Sequence, residues 1–525
     1  MATTYKIHEW TVHLANKKAS WFQFEQLTGS GQEGDNGYQK NNAANPGGGN
    51  PNLPYNRIRS NKALGLSDDP ATIGDAKRRQ LVLDPGPRTV SGANAAPHEF
   101  TIAPKGLKPF EITTLGRILT DQDSNLIVLG GNGCSGTTDL PIDADASYAN
   151  NHGWFDDVSD GPVTGVLILD DGSRIPVDVP AWVMCGPPRF APQVVNLVTL
   201  LDTMHDVFTR RFGSNPDLFK NGQFQSSYKP NLVSEILPIL IRPSLYQYVA
   251  ALSSFARSQH SSIPTDTPQQ FAQAVLGVIR DPASANAGAG LMPKLAGDNP
   301  LSNFTASKFL TLTATQYFVL SQYAKGFFSQ TPLPSPGDGV ALDRAHLENC
   351  VGGAFCPGIE VTWISRNSTL YAPLPANPAP SDMFRFRHKD VSGGLTLTNG
   401  IDNDYSKGLE PGDIVKYMAQ PWQSDFNECS AQPIDGVNFW WWPAQRPYAV
   451  HPAQSPQQQL PWTRVSAADP NENDVFSNLQ MVTNWKDLGF ILDIGTTASP
   501  TFVEIERNQP AISAYKPPGP APGVA

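Results

Sequence analysis

The chain has 525 residues, 40% of them apolar and only 16% charged, with a formal net charge of −10. The mean hydropathy is −0.30 and the isoelectric point about 5.4. This excludes a basic nucleic-acid binder, disfavours an anionic membrane surface as partner, and leaves room for two or three domains or one large core.

Abundant Pro (48) and Gly (44) favour short strands and long ordered loops over a helical bundle. The N-terminus lacks the basic-then-apolar run of a secretory signal, and no apolar run is long enough to span a membrane. The default expectation is a cytoplasmic protein, with unconventional export left open. Five cysteines, at 134, 185, 350, 356 and 429, do not make a disulfide scaffold, and no CxxC pair exists for a zinc ribbon.

Residues 1–190 read as a β-rich domain. The runs "QLVLDPGPRTV", "FEITTLGRILT", "SNLIVLGG", "GPVTGVLIL" and "RIPVDVPAWVMC" are short and β-rich, separated by Gly, Pro, Asn and Asp turns. The segment "NNAANPGGGNPNLP" is a loop. The glycine-rich "VLGGNGCSG" fits neither a dinucleotide fingerprint nor a P-loop, and reads as a strand-to-loop turn. Asp139, Asp143 and Asp145 lack the Gly and distal Glu of a calcium loop and read as solvated. Histidines are scattered without HxxxH or HExxH spacing, so no metal site is expected.

Residues 191–350 change to helical periodicity. Apolar residues recur at helical spacing in "APQVVNLVTLLDTMHDVFTRRF", "LVSEILPILIRPSLYQYVAALSSFA", "TPQQFAQAVLGVI" and "SKFLTLTATQYFVLSQYAKGFF". Pro238 and Pro243 should kink or break the second of these. "ALDRAHLENCVGG" predicts a last short helix ending on Gly352 and Gly353. Residues 351–510 return to irregular, Trp- and Pro-rich β structure, and 511–525 form a flexible Pro/Gly tail. The fold class expected is α+β. No GxSxG elbow supports a serine hydrolase.

The stretch "YMAQPWQSDFNECSAQPIDGVNFWWWPAQRP" holds the chemistry. Asp425 stands four residues before Cys429, and Trp440, Trp441 and Trp442 follow. For an arbitrary cysteine the ordinary reading is a buried thiol in an aromatic core. The functional reading needs a carboxylate near the thiol and an indole within covalent reach. A turn through this segment brings residues four apart together.

Here the chain resembles the quinoprotein amino-acid oxidases that use cysteine tryptophylquinone, the family of L-lysine ε-oxidase and the quinone-type glycine oxidase. The resemblance runs through "WTVHLANKKASWFQF", "LIVLGGNG", "YANNHGWFDDVSDGPVTGVLIL" and "VPAWVMCGPPRFAP". It continues through "LENCVGGAFCPGIEVTW", "LEPGDIVKYMAQPWQSDFNEC", "WWWPAQRP" and "VTNWKDLGFI". It implies that Cys429 is the thioether half of the cofactor. It implies that Asp425 serves in maturation and as a base near the quinone, in a partly dry site. It places the tryptophan half at Trp485, in "NWKDLGF", with the triple tryptophan as scaffold. Cys350 matches a cysteine near the family's substrate channel. Two departures leave the substrate open: Asp487 stands where the lysine oxidase has a His, and "SAQPIDGVNFW" makes a long spacer after Cys429.

The resemblance further implies oxidative deamination of an amino acid's primary amine, with O2 as acceptor and an aldehyde or oxo acid, NH3 and H2O2 as products. A separate flavoprotein is the expected maturation partner, and a homo-oligomer is left open. Two other classes also stay open: a dehydrogenase with the same cofactor that passes electrons to a carrier, and a cofactor-free binding or structural homologue.

Overall fold

The computed structural model describes residues 5–20, 79–138, 142, 153–261, 269–284, 290–297, 309–353, 359–397, 404–428, 431–434, 437–462, 478–496 and 499–507. Cys356, Cys429, the aspartates at 139, 143 and 145, the loop 41–54 and the tail 511–525 lie outside the described residues.

Eleven strands come first among the described residues: β1 (Tyr5–Val12), β2 (Arg88–Ser91), β3 (His98–Thr101), β4 (Lys108–Pro109), β5 (Thr114–Thr120), β6 (Leu126–Gly130), β7 (Ser135–Thr137), β8 (Trp154–Asp156), β9 (Ser159–Leu169), β10 (Arg174–Pro176) and β11 (Ala181–Cys185). Their pairing is antiparallel throughout. The largest sheet runs β10-β9-β1-β2, with β11 also on β9, and two three-stranded sheets run β3-β5-β6 and β4-β7-β8. Val12, Phe100, Leu107, Leu115, Ile118 and Phe155 close a small core between them. The residues of β5 alternate well enough to bury Leu115, Ile118 and Thr120 while Arg117 stays exposed.

Six helices of eight residues or more follow among the described residues: α1 (Leu200–Phe212), α2 (Leu237–Leu245), α3 (Ser254–Ser261), α4 (Gln269–Val278), α5 (Ala314–Ala324) and α6 (Asp338–Glu348). A capping box starts α1: the Thr199 hydroxyl accepts from the Asp202 amide, and the Asp202 carboxylate accepts from the Thr199 amide. Gly213 ends it in the left-handed region at φ 62°. Leu200, Met204, Val207 and Phe208 form its buried stripe. Thr313 and Gln316 cap α5 in the same way.

The prolines behave as their chemistry requires. A π-helical turn (Leu232–Ile236) precedes Pro238, which sits in the first turn of α2, where no helical amide is missed. Pro243 lies inside α2, and the helix stops two residues later at Leu245. The end of α6 corrects an expectation: it closes at Glu348 with Asn349 in a right-handed conformation, not on the glycines. Gly352 and Gly353 serve a different need. A Cβ on Gly352 would stand 2.0 Å from the carbonyl oxygen of Thr199, the cap of α1, and one on Gly353 2.8 Å from the Leu310 side chain, so close packing, not a helix stop, accounts for both glycines.

Two further helices, α7 (Trp422–Glu428) and α8 (Asn478–Asn484), are short and pack against each other. Short hairpins surround them: Ala431–Ile434 with Val437–Trp440, and Phe490–Asp493 with Phe502–Ile505. Trp422, Phe426, Phe439, Trp441, Trp442, Trp462 and Trp485 join the helical residues in one large apolar core. Among the described residues no helix is long and apolar enough to cross a membrane.

A buried ionic network ties the first residues to this region. Lys17 pairs with Glu410 at 2.6 Å and Asp413 at 3.0 Å, and Lys416 pairs with Asp413 at 3.1 Å. Burial alone would raise the Asp413 carboxyl, but Lys416 and Lys17 overcome it and hold the group down to about 2. Lys18 is fully buried and bonds both the Asp156 carboxylate and the Ala419 carbonyl. Removing one partner of such a pair strands a buried charge, at a cost of about 3–5 kcal/mol.

Candidate active site

The site is built where α7, α8 and the loop between β6 and β7 meet. Trp485 opens a 3₁₀ turn (Trp485–Asp487) directly after α8 and is only 7% exposed. The fully buried Trp422, first residue of α7, meets it edge-on, with ring centroids 5.6 Å apart and planes at 69°. The amide of Trp422 donates to Asp156, the carboxylate that Lys18 also holds, so the start of α7 is pinned to the ionic network.

One residue further on, Gln423 reaches into the β6–β7 loop. Its amide nitrogen donates to the Gly133 carbonyl at 2.9 Å, and its oxygen accepts from the Ser135 hydroxyl at 2.7 Å. This fixes Gly133 against the indole. Gly133 has φ 74°, and a Cβ there would stand 2.1 Å from Trp485 Cζ2. A glycine is thus required for two separate reasons, conformation and space.

The same loop wraps a second carboxylate. The Cys134 amide donates to Asp157 Oδ2 at 3.0 Å, and a Cβ on Gly131 would lie 2.5 Å from that oxygen. Burial pushes the Asp157 carboxyl up to about 7 against the pull of its amide donors, with the neighbouring Asp156 adding to the rise.

Arg507 covers another side of Trp485. Its guanidinium carbon lies 5.0 Å from the Trp485 ring centroid, 4.6 Å from that of Phe490 and 5.6 Å from that of Phe190. Its Nε donates to the Leu488 carbonyl at 3.0 Å, while Nη2 is shielded from solvent and has no hydrogen-bond partner among the described residues.

Asp425 is fully buried on α7, one turn after Trp422. The buried Arg446 donates to its backbone carbonyl and lies over the rings of Trp442 (5.0 Å) and Phe426 (5.8 Å). Trp440, Trp441 and Trp442 are buried in the core, each with an indole N–H that has no acceptor among the described residues. Asp487 is exposed.

The structure therefore brings Trp485 against the helix that carries Asp425. Cys429 follows Glu428, the last residue of that helix, and lies outside the described residues. Cys350 sits half-buried at the end of α6, its thiol pushed up by burial and eased by the nearby Arg189. Arg189 precedes Phe190, whose ring packs on Phe426 and Phe490; among the described residues no hydrogen bond joins Cys350 to Trp485 or its ring neighbours. Sequence reasoning missed Gly133, Trp422, Gln423, Asp157 and Arg507. Only Gly133 carried a signal, an unexplained glycine run between two strands.

Residues 2–185 match the family described as L-Lysine epsilon oxidase N-terminal, and residues 293–450 match the L-lysine epsilon oxidase C-terminal domain. The L-lysine 6-oxidase of Marinomonas mediterranea is 31% identical, across 95% of this chain and 78% of its own length. The structure of the epsilon-lysine oxidase from that organism superposes with a TM-score of 0.75 at 28% identity, covering 95% of this chain and 83% of the other. A crystal structure of its Schiff base intermediate with L-Lys gives the same TM-score and coverage at 29% identity.

Proposed function

Because the chain belongs to the L-lysine epsilon oxidase family, we propose that it oxidises the primary amine of an amino acid through a quinone made from its own Trp485 and Cys429. The overall reaction is amine, O2 and water giving an aldehyde or oxo acid, NH3 and H2O2. The observation that carries this reading is the contact of Trp422 with Trp485. It seats the helix of Asp425, which ends one residue before Cys429, on an indole 56 residues beyond that cysteine (485 − 429).

The residues fit such a group. Gly133 places no side chain against the indole edge, and Arg507 presents a buried Nη2 donor beside a ring that has no acceptor of its own. Once formed, cysteine tryptophylquinone supplies an electrophilic carbonyl and a two-electron sink, which ordinary side chains lack.

The chain supplies the rest. Asp425, sealed from solvent, is the base that takes the proton from the carbon bearing nitrogen. Trp422 and the Gly133 loop hold the indole in one orientation, and their packing keeps bulk water from the reacting atoms. Cys350, beside Arg189, belongs to the substrate's route inward. A flavoprotein partner installs the ring oxygens, since the encoded side chains are not oxidised by themselves.

Peptide mapping of protein matured beside such a flavoprotein tests the reading. The expected product is a Cys429–Trp485 cross-linked pair that has gained two oxygens and lost four hydrogens. Cys429→Ala should abolish both the cross-link and amine oxidation. Absence of any modified peptide in the matured wild type would refute the enzyme reading. Added mass on Trp440, Trp441 or Trp442 would move the indole without changing the chemistry.

A further inference from the structure

Arg507 is expensive where it stands. A guanidinium packed against Trp485, Phe490 and Phe190, whose buried Nη2 has no acceptor among the described residues, gives up hydrogen bonding that water would supply. The aromatic faces return part of this through cation–π attraction. The Leu488 carbonyl occupies Nε at 3.0 Å and so fixes the direction of the fork. Nothing in the unmodified indole can accept from Nη2, because an indole has an N–H donor and a π face but no acceptor atom in its ring plane. Oxygen atoms on that ring would be acceptors.

We propose that Arg507 is the counter-cation of the oxygenated Trp485, with Nη2 donating to a ring oxygen and the guanidinium charge stabilising the reduced ring. The inference rests on the quinone reading above. Two-electron reduction of such a ring by the amine, with uptake of one proton, would leave negative charge on the ring oxygen that the amine nitrogen does not replace. A cation beside that oxygen favours the reduced form over the oxidised one, and so increases the driving force for amine oxidation. Arginine suits the position because its guanidinium stays charged at every working pH and its fork presents directed donors. The cation therefore needs no proton of its own during turnover.

The test uses full-length protein matured beside its flavoprotein, as wild type, Arg507→Gln and Arg507→Lys. Peptide mapping first establishes the quinone in each. Spectroelectrochemical titration and the visible spectrum are then compared. Arg507→Gln should shift the redox equilibrium at least tenfold toward the oxidised form, about 30 mV for a two-electron couple, and move the absorption maximum. Arg507→Lys should recover most of the potential. It should also alter the ring carbonyl stretch in resonance Raman, since a point charge replaces the fork.

A modified Arg507→Gln protein with wild-type potential and spectrum overturns the proposal. So does a loss confined to KM for the amino acid, with unchanged potential and no loss for an amine lacking a carboxylate; that would make Arg507 a substrate-carboxylate site. If the Gln variant does not mature, an unaltered carbonyl stretch in Arg507→Lys overturns it instead. A wild type without any modified peptide removes the quinone reading itself, and this inference with it.

Discussion

Gly133 and Trp485 touch so closely that a Cβ on the glycine would stand 2.1 Å from the indole Cζ2. The loop that carries Gly133 is held in turn by Gln423, from the helix whose first residue meets Trp485 edge-on. Ring, loop and helix thus fix one another.

Gly133→Ala should damage stability and maturation together. The left-handed φ of 74° and the overlap with the indole should cost about 2–4 kcal/mol. Thermal unfolding should show a lower Tm, and peptide mapping a lower quinone content. A variant with wild-type values of both would show that the loop gives way freely.

Gln423→Leu removes the partner of the Gly133 carbonyl and of the buried Ser135 hydroxyl. Each group left unsatisfied should cost about 1–3 kcal/mol. The measurement is denaturant unfolding beside the Ser135→Ala, Gln423→Leu double variant. The double variant should lose less than the sum of the two single changes, because they remove one shared bond.

Asp425→Asn keeps the volume and removes the basic site. If the quinone forms, turnover should fall by a factor on the order of 10²–10⁴ while a hydrazine still labels the protein, since carbonyl addition requires no carbon-bound proton to be abstracted. If no quinone absorbance develops, the carboxylate acts in maturation. Normal quinone content with normal turnover would shift the search to Asp487.

Asp157 makes a prediction about pH. Burial raises its carboxyl from 3.8 to about 7 in the folded protein. Between those values the folded state keeps a proton that the unfolded chain has released. Stability on this account falls as pH rises through the window and levels off above about 7. Asp157→Asn removes the titration. Unfolding free energies at about pH 5, 6 and 7.5 should therefore show the variant gaining on the wild type at each step. A constant difference would mean that the carboxyl titrates alike in both states.

The sequence spoke most clearly where local rules govern. The α+β class followed from β-rich runs broken by turn residues and from apolar helical stripes such as Leu200, Met204, Val207 and Phe208. Family membership was legible because strings such as "DFNEC" and "WWPAQRP" are specific. The end of α6 was misjudged because Gly352 and Gly353 look like a helix stop, although close packing on Thr199 and Leu310 is what excludes a side chain there. Gln423 and Arg507 left no trace in the sequence. Their partners lie far along the chain, and a polar residue's partner at long range has no periodicity to reveal it. The Trp422–Trp485 contact was equally hidden, since only the tertiary fold joins α7 to α8.

The buried lysines at 17 and 18 bear on how this protein could be cut or recombined. They sit at the end of the first described segment, yet their counter-ions are at 156, 410 and 413, and Lys18 also grips the carbonyl of Ala419 just before the helix of Asp425. The half that carries Asp425 and Trp485 is thus not a portable cassette. Expressed from residue 351 onward, it would lack Lys17, the one cation that reaches Glu410 and Asp413 from outside it among the described residues, the Asp156 carboxylate that anchors Trp422, and the glycine loop against Trp485. Complementation by two separately made fragments remains open to it; grafting onto a foreign scaffold does not.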